Sequence, residues 1–121
     1  VIEFILKLDM LKILKAFKYA FQGIIHGIKF EFSFRIEFFL TLFLIPCAFF
    51  LGENKVEIIL LSSSTLLILV VELLNTSLER TLDRHNKEEN KLTKVAKDLA
   101  SAAVLISLLI WLITWSLILA F

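Results

Sequence analysis

The chain has 121 residues, 59% of them hydrophobic, a mean hydropathy of +0.87 and a formal net charge of +1. Soluble domains carry about 45–50% apolar residues, so this excess, gathered in blocks, excludes a single soluble core and places 1–121 as one domain of the all-α integral membrane class. The near-neutral balance leaves no electrostatic footprint for nucleic acid, and the lone Cys47 allows no intrachain disulfide and reads as a small lipid-facing filler. The two histidines, His26 and His85, stand too far apart to suggest a zinc cluster.

The first element is an amphipathic helix over about 5–29. Leu14, Phe17, Phe21, Ile24, Ile25 and Ile28 form one helical stripe, and Lys12, Lys15, Lys18, Gln22, His26 and Lys29 form another. A lysine-rich helix of this kind lies in the membrane interface. Lysines spread along its length, with no compact apolar centre, argue against a cleaved signal peptide.

Three membrane spans follow, over 36–52, 56–80 and 98–120. The first has an uncharged stretch that is short against the ~20 residues a crossing needs, so Ile36 and Glu37 begin it at the interface, and Pro46 is expected to kink it. Gly52, Glu53 and Asn54 make a tight connection to the second span, and a loop is expected over 81–97. Lys7, Lys12, Lys15, Lys18, Lys29 and Arg35 precede the first span, Arg80, Arg84, Lys87, Lys91, Lys94 and Lys97 separate the second from the third, and only Lys55 falls in the other connection. The positive-inside rule then puts the N-terminus and the 81–97 segment in the cytoplasm and the C-terminus outside.

One residue breaks the apolar pattern of the second span. Glu72 follows an uncharged run, and a carboxylate at the centre of a membrane helix costs ~2.5–3.5 kcal/mol on insertion scales, so an acid there is first a functional candidate. At ~100° per residue, Glu72, Asn75, Glu79 and Asp83 share one helix face. Glu72 and Glu79 lie two turns apart, ~10 Å along the axis, too far for both to hold one Mg²⁺ at ~2.1 Å. The spacing favours divided roles: a deep acid facing the bilayer and a shallower one facing cytoplasmic solutes. Glu31, Arg35 and Glu37 reach the same level from the start of span one, and Lys97, Asp98 and Ser101 from the start of span three. Carboxylates and a lysine converging there suit a Mg²⁺–nucleotide, in which phosphates complete the metal shell. A plainer reading stays open for each group: polar glue between helices for Glu72 and Asn75, local ion pairing for Glu31 and Glu37, and a solvated loop for Lys97 and Asp98. No P-loop, G-x-G-x-x-G or nucleophile elbow occurs.

The run Val71 to Glu79, VELLNTSLE, resembles the prokaryotic diacylglycerol kinase family, whose signature is E-x-x-N-[ST]-[AS]-[IL]-E. The likeness continues through Asp83-Arg84, Ala96-Lys97-Asp98, Ser101 to Ile106 and Ile113-Thr114-Trp115, and upstream through Glu31 and Phe34-Arg35-x-Glu37. It covers nearly the whole chain. It implies a small membrane kinase with a surface helix and three spans, a homotrimeric bundle whose composite active sites lie between subunits at the cytoplasmic interface. It implies Glu72 as catalytic base and Glu31 and Glu79 as Mg²⁺ ligands. It places Lys12, Tyr19, Glu31, Asn75, Glu79, Asp83, Glu88, Glu89, Asn90, Lys97 and Asp98 around ATP, and Lys12, Ser33, Phe34, Arg35, Glu37, Glu72, Ser101 and Trp115 around the lipid. The family's N-terminal nucleotide-contacting arginine is Lys12 here, which keeps charge but loses the bidentate fork. The serine that follows its tyrosine is Ala20, and Glu88-Glu89-Asn90 lacks the usual aromatic and histidine.

The expected activity is ATP- and Mg²⁺-dependent phosphorylation of 1,2-diacylglycerol to phosphatidic acid in the bacterial inner membrane. Undecaprenol kinase, of the same family, is the nearest alternative, and Ser101-Ala102-Ala103 looks more like the diacylglycerol-specific branch than the Ala-Ala-Gly of the other. A small proton-coupled transporter using Glu72 is the alternative of another class. An odd number of spans, a surface helix and carboxylates gathered at one membrane face disfavour it. A purely structural subunit would leave the Glu/Asn/Glu/Asp stripe unexplained.

Overall fold

The amphipathic stripe of the N-terminal segment ends where the backbone opens for a single residue. In the computed structural model, which describes residues 1–85 and 90–121, α1 (Ile2–Phe30) and α2 (Phe32–Leu51) are separated only by Glu31, extended at φ −114° and ψ 110°. Two more helices complete the chain, α3 (Lys55–His85) and α4 (Lys91–Ala120), and no strand occurs among the described residues. The fold is all-α, and α2, α3 and α4 are each long and apolar enough to cross a membrane.

The break at Glu31 has two local causes. Gly27 is buried against the ring of Phe34, and a Cβ on Gly27 would meet that ring at 2.6 Å, so only glycine admits this approach. Arg35 reaches back to the end of α1, its Nε donating to the carbonyl of Ile28 at 2.6 Å and Nη2 to that of Lys29 at 2.7 Å. Those are terminal carbonyls without a partner inside the helix, and a cation there also meets the negative end of the helix dipole. The rest of α1 makes little contact. From Val1 to Gly23 every residue is exposed.

The helices run beyond the spans that the apolar blocks predict. The segment 81–97, expected as a loop, is helical through His85 and again from Lys91. Hydropathy marks where the bilayer interior ends, whereas a helix continues until its backbone bonds lose their partners or a cap intervenes. Here Asn90 supplies the cap, its side chain accepting from the amide of Thr93 at 2.8 Å, and Lys94 and Asp98 pair across one turn at 2.8 Å. The connection after α2 is as short as expected. Asn54 caps α3 by accepting from the Glu57 amide at 2.9 Å, and Gly52 fits under Ile58 where a Cβ would lie 2.5 Å from its side chain. The α2 helix continues through Pro46 to Leu51.

The interior lies toward the end of the bundle away from Glu31. Ala48, Leu61 and Trp115 form it, with Leu44, Cys47, Trp111 and Ile118 against them. Cys47 is therefore a partly buried interhelix residue and not the lipid-facing filler its apolar setting suggested. The α3–α4 seam is pinned by Thr65, whose hydroxyl accepts from the indole of Trp111 at 3.1 Å and of Trp115 at 3.2 Å. Trp115 also donates to the Leu61 carbonyl at 3.2 Å. Thr65→Val keeps the shape and removes the acceptor. It is expected to lower stability by about 1 kcal/mol, visible as a lower thermal midpoint in detergent, with Thr65→Ser closer to the parent.

Candidate active site

The middle of α3 is covered on the face that meets α2 and α4: Leu61, Ser64, Thr65, Ile68 and Glu72 are all buried. The period that buries the first four carries Glu72 into the same environment, at 7% exposure. One turn on, Asn75 donates to Glu79 Oε1 at 3.2 Å, while its own Oδ1 is buried with no partner. Asp83 ends the stripe in the open and takes Lys97 of α4 at 2.6 Å. The stripe thus passes from a buried acid to an exposed one on a single rigid element.

The other helices bring further acids to it. Glu37 enters from α2 with Oε2 buried and unpartnered, and its carboxylate lies within the field of Glu72. Glu72 in turn feels Glu79 and Glu31. Below Glu37, a cavity of about 140 Å³ opens between α2, α3 and α4, walled by Thr41, Thr65, Ile68, Leu108 and Trp111 among others. Apart from Glu37 and the two threonines the residues around it are apolar, so the cluster stands at a junction between an oily space and a polar one.

Glu31 reaches α3 through Arg80. Nε of Arg80 donates to Glu31 Oε1 at 3.0 Å, and Nη2 reaches the same oxygen. Arg80 was not singled out by the sequence pattern; its signal is a cation directly after Glu79 in an acidic stripe.

Not every expected residue joins the cluster within one chain. Lys12 and Tyr19 are exposed on α1, and Tyr19 lies twelve residues before Glu31, ~18 Å along a helix. Ser33 and Ser101 are exposed, and Asp98 pairs with Lys94 on the exposed side of α4. Phe34 is sealed against Gly27, and Arg35 is committed to the end of α1. Trp115 sits beside Thr65, two turns of α3 from Glu72 and ~10 Å along its axis. Asn90 caps α4, and Glu88 and Glu89 lie outside the described residues.

Among the described residues no three metal-ligating side chains converge. What the cluster offers instead is oxygen: Glu31 from the elbow, with Glu79 and the unpartnered Asn75 Oδ1 from the stripe. Hard oxygen donors, few in number, fit a Mg²⁺ that takes most of its shell from phosphates and water. A buried acid beside an apolar cavity, with acids and a lysine at a wetter level, can abstract a proton from an amphiphile while a charged co-substrate is held alongside.

Comparison with known proteins identifies the family. The family model described as prokaryotic diacylglycerol kinase matches residues 18–119. The chain is 49% identical over 104 residues to a diacylglycerol kinase of Haemophilus influenzae, covering 86% of this chain and 88% of the relative. It is 40% identical over 108 residues to one of Pseudomonas aeruginosa and 36% identical over 108 residues to one of Escherichia coli, each match covering 89% of this chain and 88% of the relative. The chain therefore belongs to the prokaryotic diacylglycerol kinase family and is a membrane lipid kinase.

Proposed function

We propose that this kinase transfers the γ-phosphate of ATP to the primary hydroxyl of 1,2-diacylglycerol, giving phosphatidic acid, at the cytoplasmic face of the bacterial cytoplasmic membrane. The observation that carries the reading is Glu72, a carboxylate only 7% exposed within an apolar helix, with Asn75 and Glu79 on the same face. The name shared by the curated relatives supplies the lipid.

Glu72 acts as the base. Its carboxylate takes the hydroxyl proton as that oxygen attacks the γ-phosphorus, the bond to the β-phosphate oxygen breaks, and ADP leaves. Glu31 and Glu79 would hold Mg²⁺, with Asn75 Oδ1 beside them. When bound, the metal supplies charge neutralisation on the β- and γ-phosphates. Lys97, already at the mouth of the stripe on Asp83, adds a point charge there. Positioning and electrostatics carry most of phosphoryl transfer, so the fixed helix face does most of the work. The lipid enters from the bilayer side, its head group at Glu72 and Glu37 and its chains along the apolar helix surfaces.

The exposed residues argue for self-association. Lys12, Tyr19 and Asp98 lie apart from the acids of their own chain, and much of the apolar surface of α2 to α4 is uncovered. A homotrimer with sites shared between subunits would let a neighbour supply those contacts. The N-terminus, the end of α3 and the start of α4 would face the cytoplasm and the C-terminus the outside.

Incubating the purified protein with γ-labelled Mg·ATP in micelles, separately with 1,2-diacylglycerol and undecaprenol, tests the reading. Labelled phosphatidic acid on thin-layer plates is the expected result. Label in the polyprenol alone would move the chain to the other branch of the family. No labelled lipid, with proton-driven uptake into liposomes, would move it to transport.

A further inference from the structure

Arg80 serves none of the roles above, yet it holds one of the acids. Both of its contacts fall on Oε1 of Glu31, so Oε2 is the oxygen that can face a cation. We propose that Arg80 is a positioning residue of the metal–nucleotide site, fastening the elbow to α3 through Glu31. The proposal rests on the assignment of Glu31 to Mg²⁺.

Three observations carry it. Glu31 is the lone extended residue between two helices, and its side chain makes no capping bond to α2. Nothing local therefore fixes its carboxylate. Arg80 sits directly after Glu79 in α3, so one turn of one helix sets both acids: Glu79 by covalent attachment and Glu31 by the guanidinium. Finally, a cavity of about 210 Å³ lies beside the pair, lined by Gly23, His26, Gly27, Thr76 and Ser77 among others. A Glu31 released by Arg80 has that space to turn into. The Arg80 side chain is 61% exposed against 20% for Glu31, and an exposed pair of this kind adds little to stability. What the pair contributes is direction. Lysine could replace the charge but not the two converging donors.

Mn²⁺·ATP binding to the purified protein in micelles, read by electron paramagnetic resonance, tests this alongside steady-state kinetics. Arg80→Ala and Arg80→Gln are each expected to weaken Mn²⁺·ATP binding by about tenfold, the lower range for loss of a residue that orients a metal ligand. KM for Mg·ATP should rise by a similar factor while kcat stays within about threefold. The thermal midpoint should stay at the parental value, and Arg80→Lys should recover part of the binding. Unchanged or tighter Mn²⁺·ATP binding in both neutral variants would overturn the proposal, as would a loss confined to kcat. Glu31→Gln separates this from the underlying reading. If the parent binds Mn²⁺·ATP no better than Glu31→Gln, the metal assignment of Glu31 fails and Arg80 falls with it. If Glu31→Gln weakens binding and the Arg80 variants do not, only the role of Arg80 fails.

Discussion

Glu72→Gln is expected to lose lipid phosphorylation by at least the ~10²–10⁴-fold that a positioned general base contributes, with Mn²⁺·ATP binding still measurable. Glutamine matches the shape of glutamate and keeps a carbonyl oxygen, but it cannot take the hydroxyl proton. The variant also separates the base from polar glue. A buried charge in a membrane helix is a cost, so the neutral residue should leave the folded protein as stable as the parent or more so. Glue predicts the opposite pairing: weakened helix association and preserved turnover. Near-normal kinase activity would remove Glu72 from the chemistry.

The second large effect is expected at the elbow. Gly27→Ala places a methyl 2.6 Å from the Phe34 ring, which is 1% exposed and has no room to retreat. Overpacking of this kind costs about 1–3 kcal/mol. The strain falls between Arg35, which caps α1, and Glu31, which Arg80 holds, so KM for Mg·ATP should rise together with the loss in thermal midpoint. Phe34→Leu removes the colliding edge, and the double variant should be more stable than the sum of the two single effects predicts, because contacting residues couple by about 0.5–3 kcal/mol. Strictly additive losses would mean that the two residues do not meet.

Much of this architecture is visible in the residues because it is periodic. The apolar blocks locate α2, α3 and α4, and the alternating stripes locate α1. The Glu72, Asn75, Glu79, Asp83 face needs only the helical angle. The elbow is different. No glycine or proline stands at Glu31; the break depends on Phe34 finding Gly27 and Arg35 finding Ile28, pairs seven residues apart that meet only once the chain has turned. The extent of α3 and α4 past the bilayer is likewise invisible to hydropathy, since His85 and Lys91 are as polar in a helix as in a loop. Asp83 with Lys97 and Glu31 with Arg80 are cross-helix pairs whose partners no local window contains. Position at the starts of the spans brought Glu31 and Lys97 into view as candidates, and family resemblance gave them roles, but neither singled out Arg80.

The length of α3 turns the helix into a graduated rod. Its 31 residues measure ~46 Å against a hydrocarbon layer of ~30 Å, so a stretch of it must stand clear of the oil. From Glu72 to Asp83 is eleven residues, ~16 Å. Depth along the membrane normal is thereby encoded in residue number, with one side chain per graduation. Deleting a single residue between Glu72 and Glu79 would shorten that scale by only ~1.5 Å but swing everything beyond it by ~100°. The spacing is thus far more exposed to insertions and deletions than to substitutions, and the range of workable sequence lengths in this stretch is close to one.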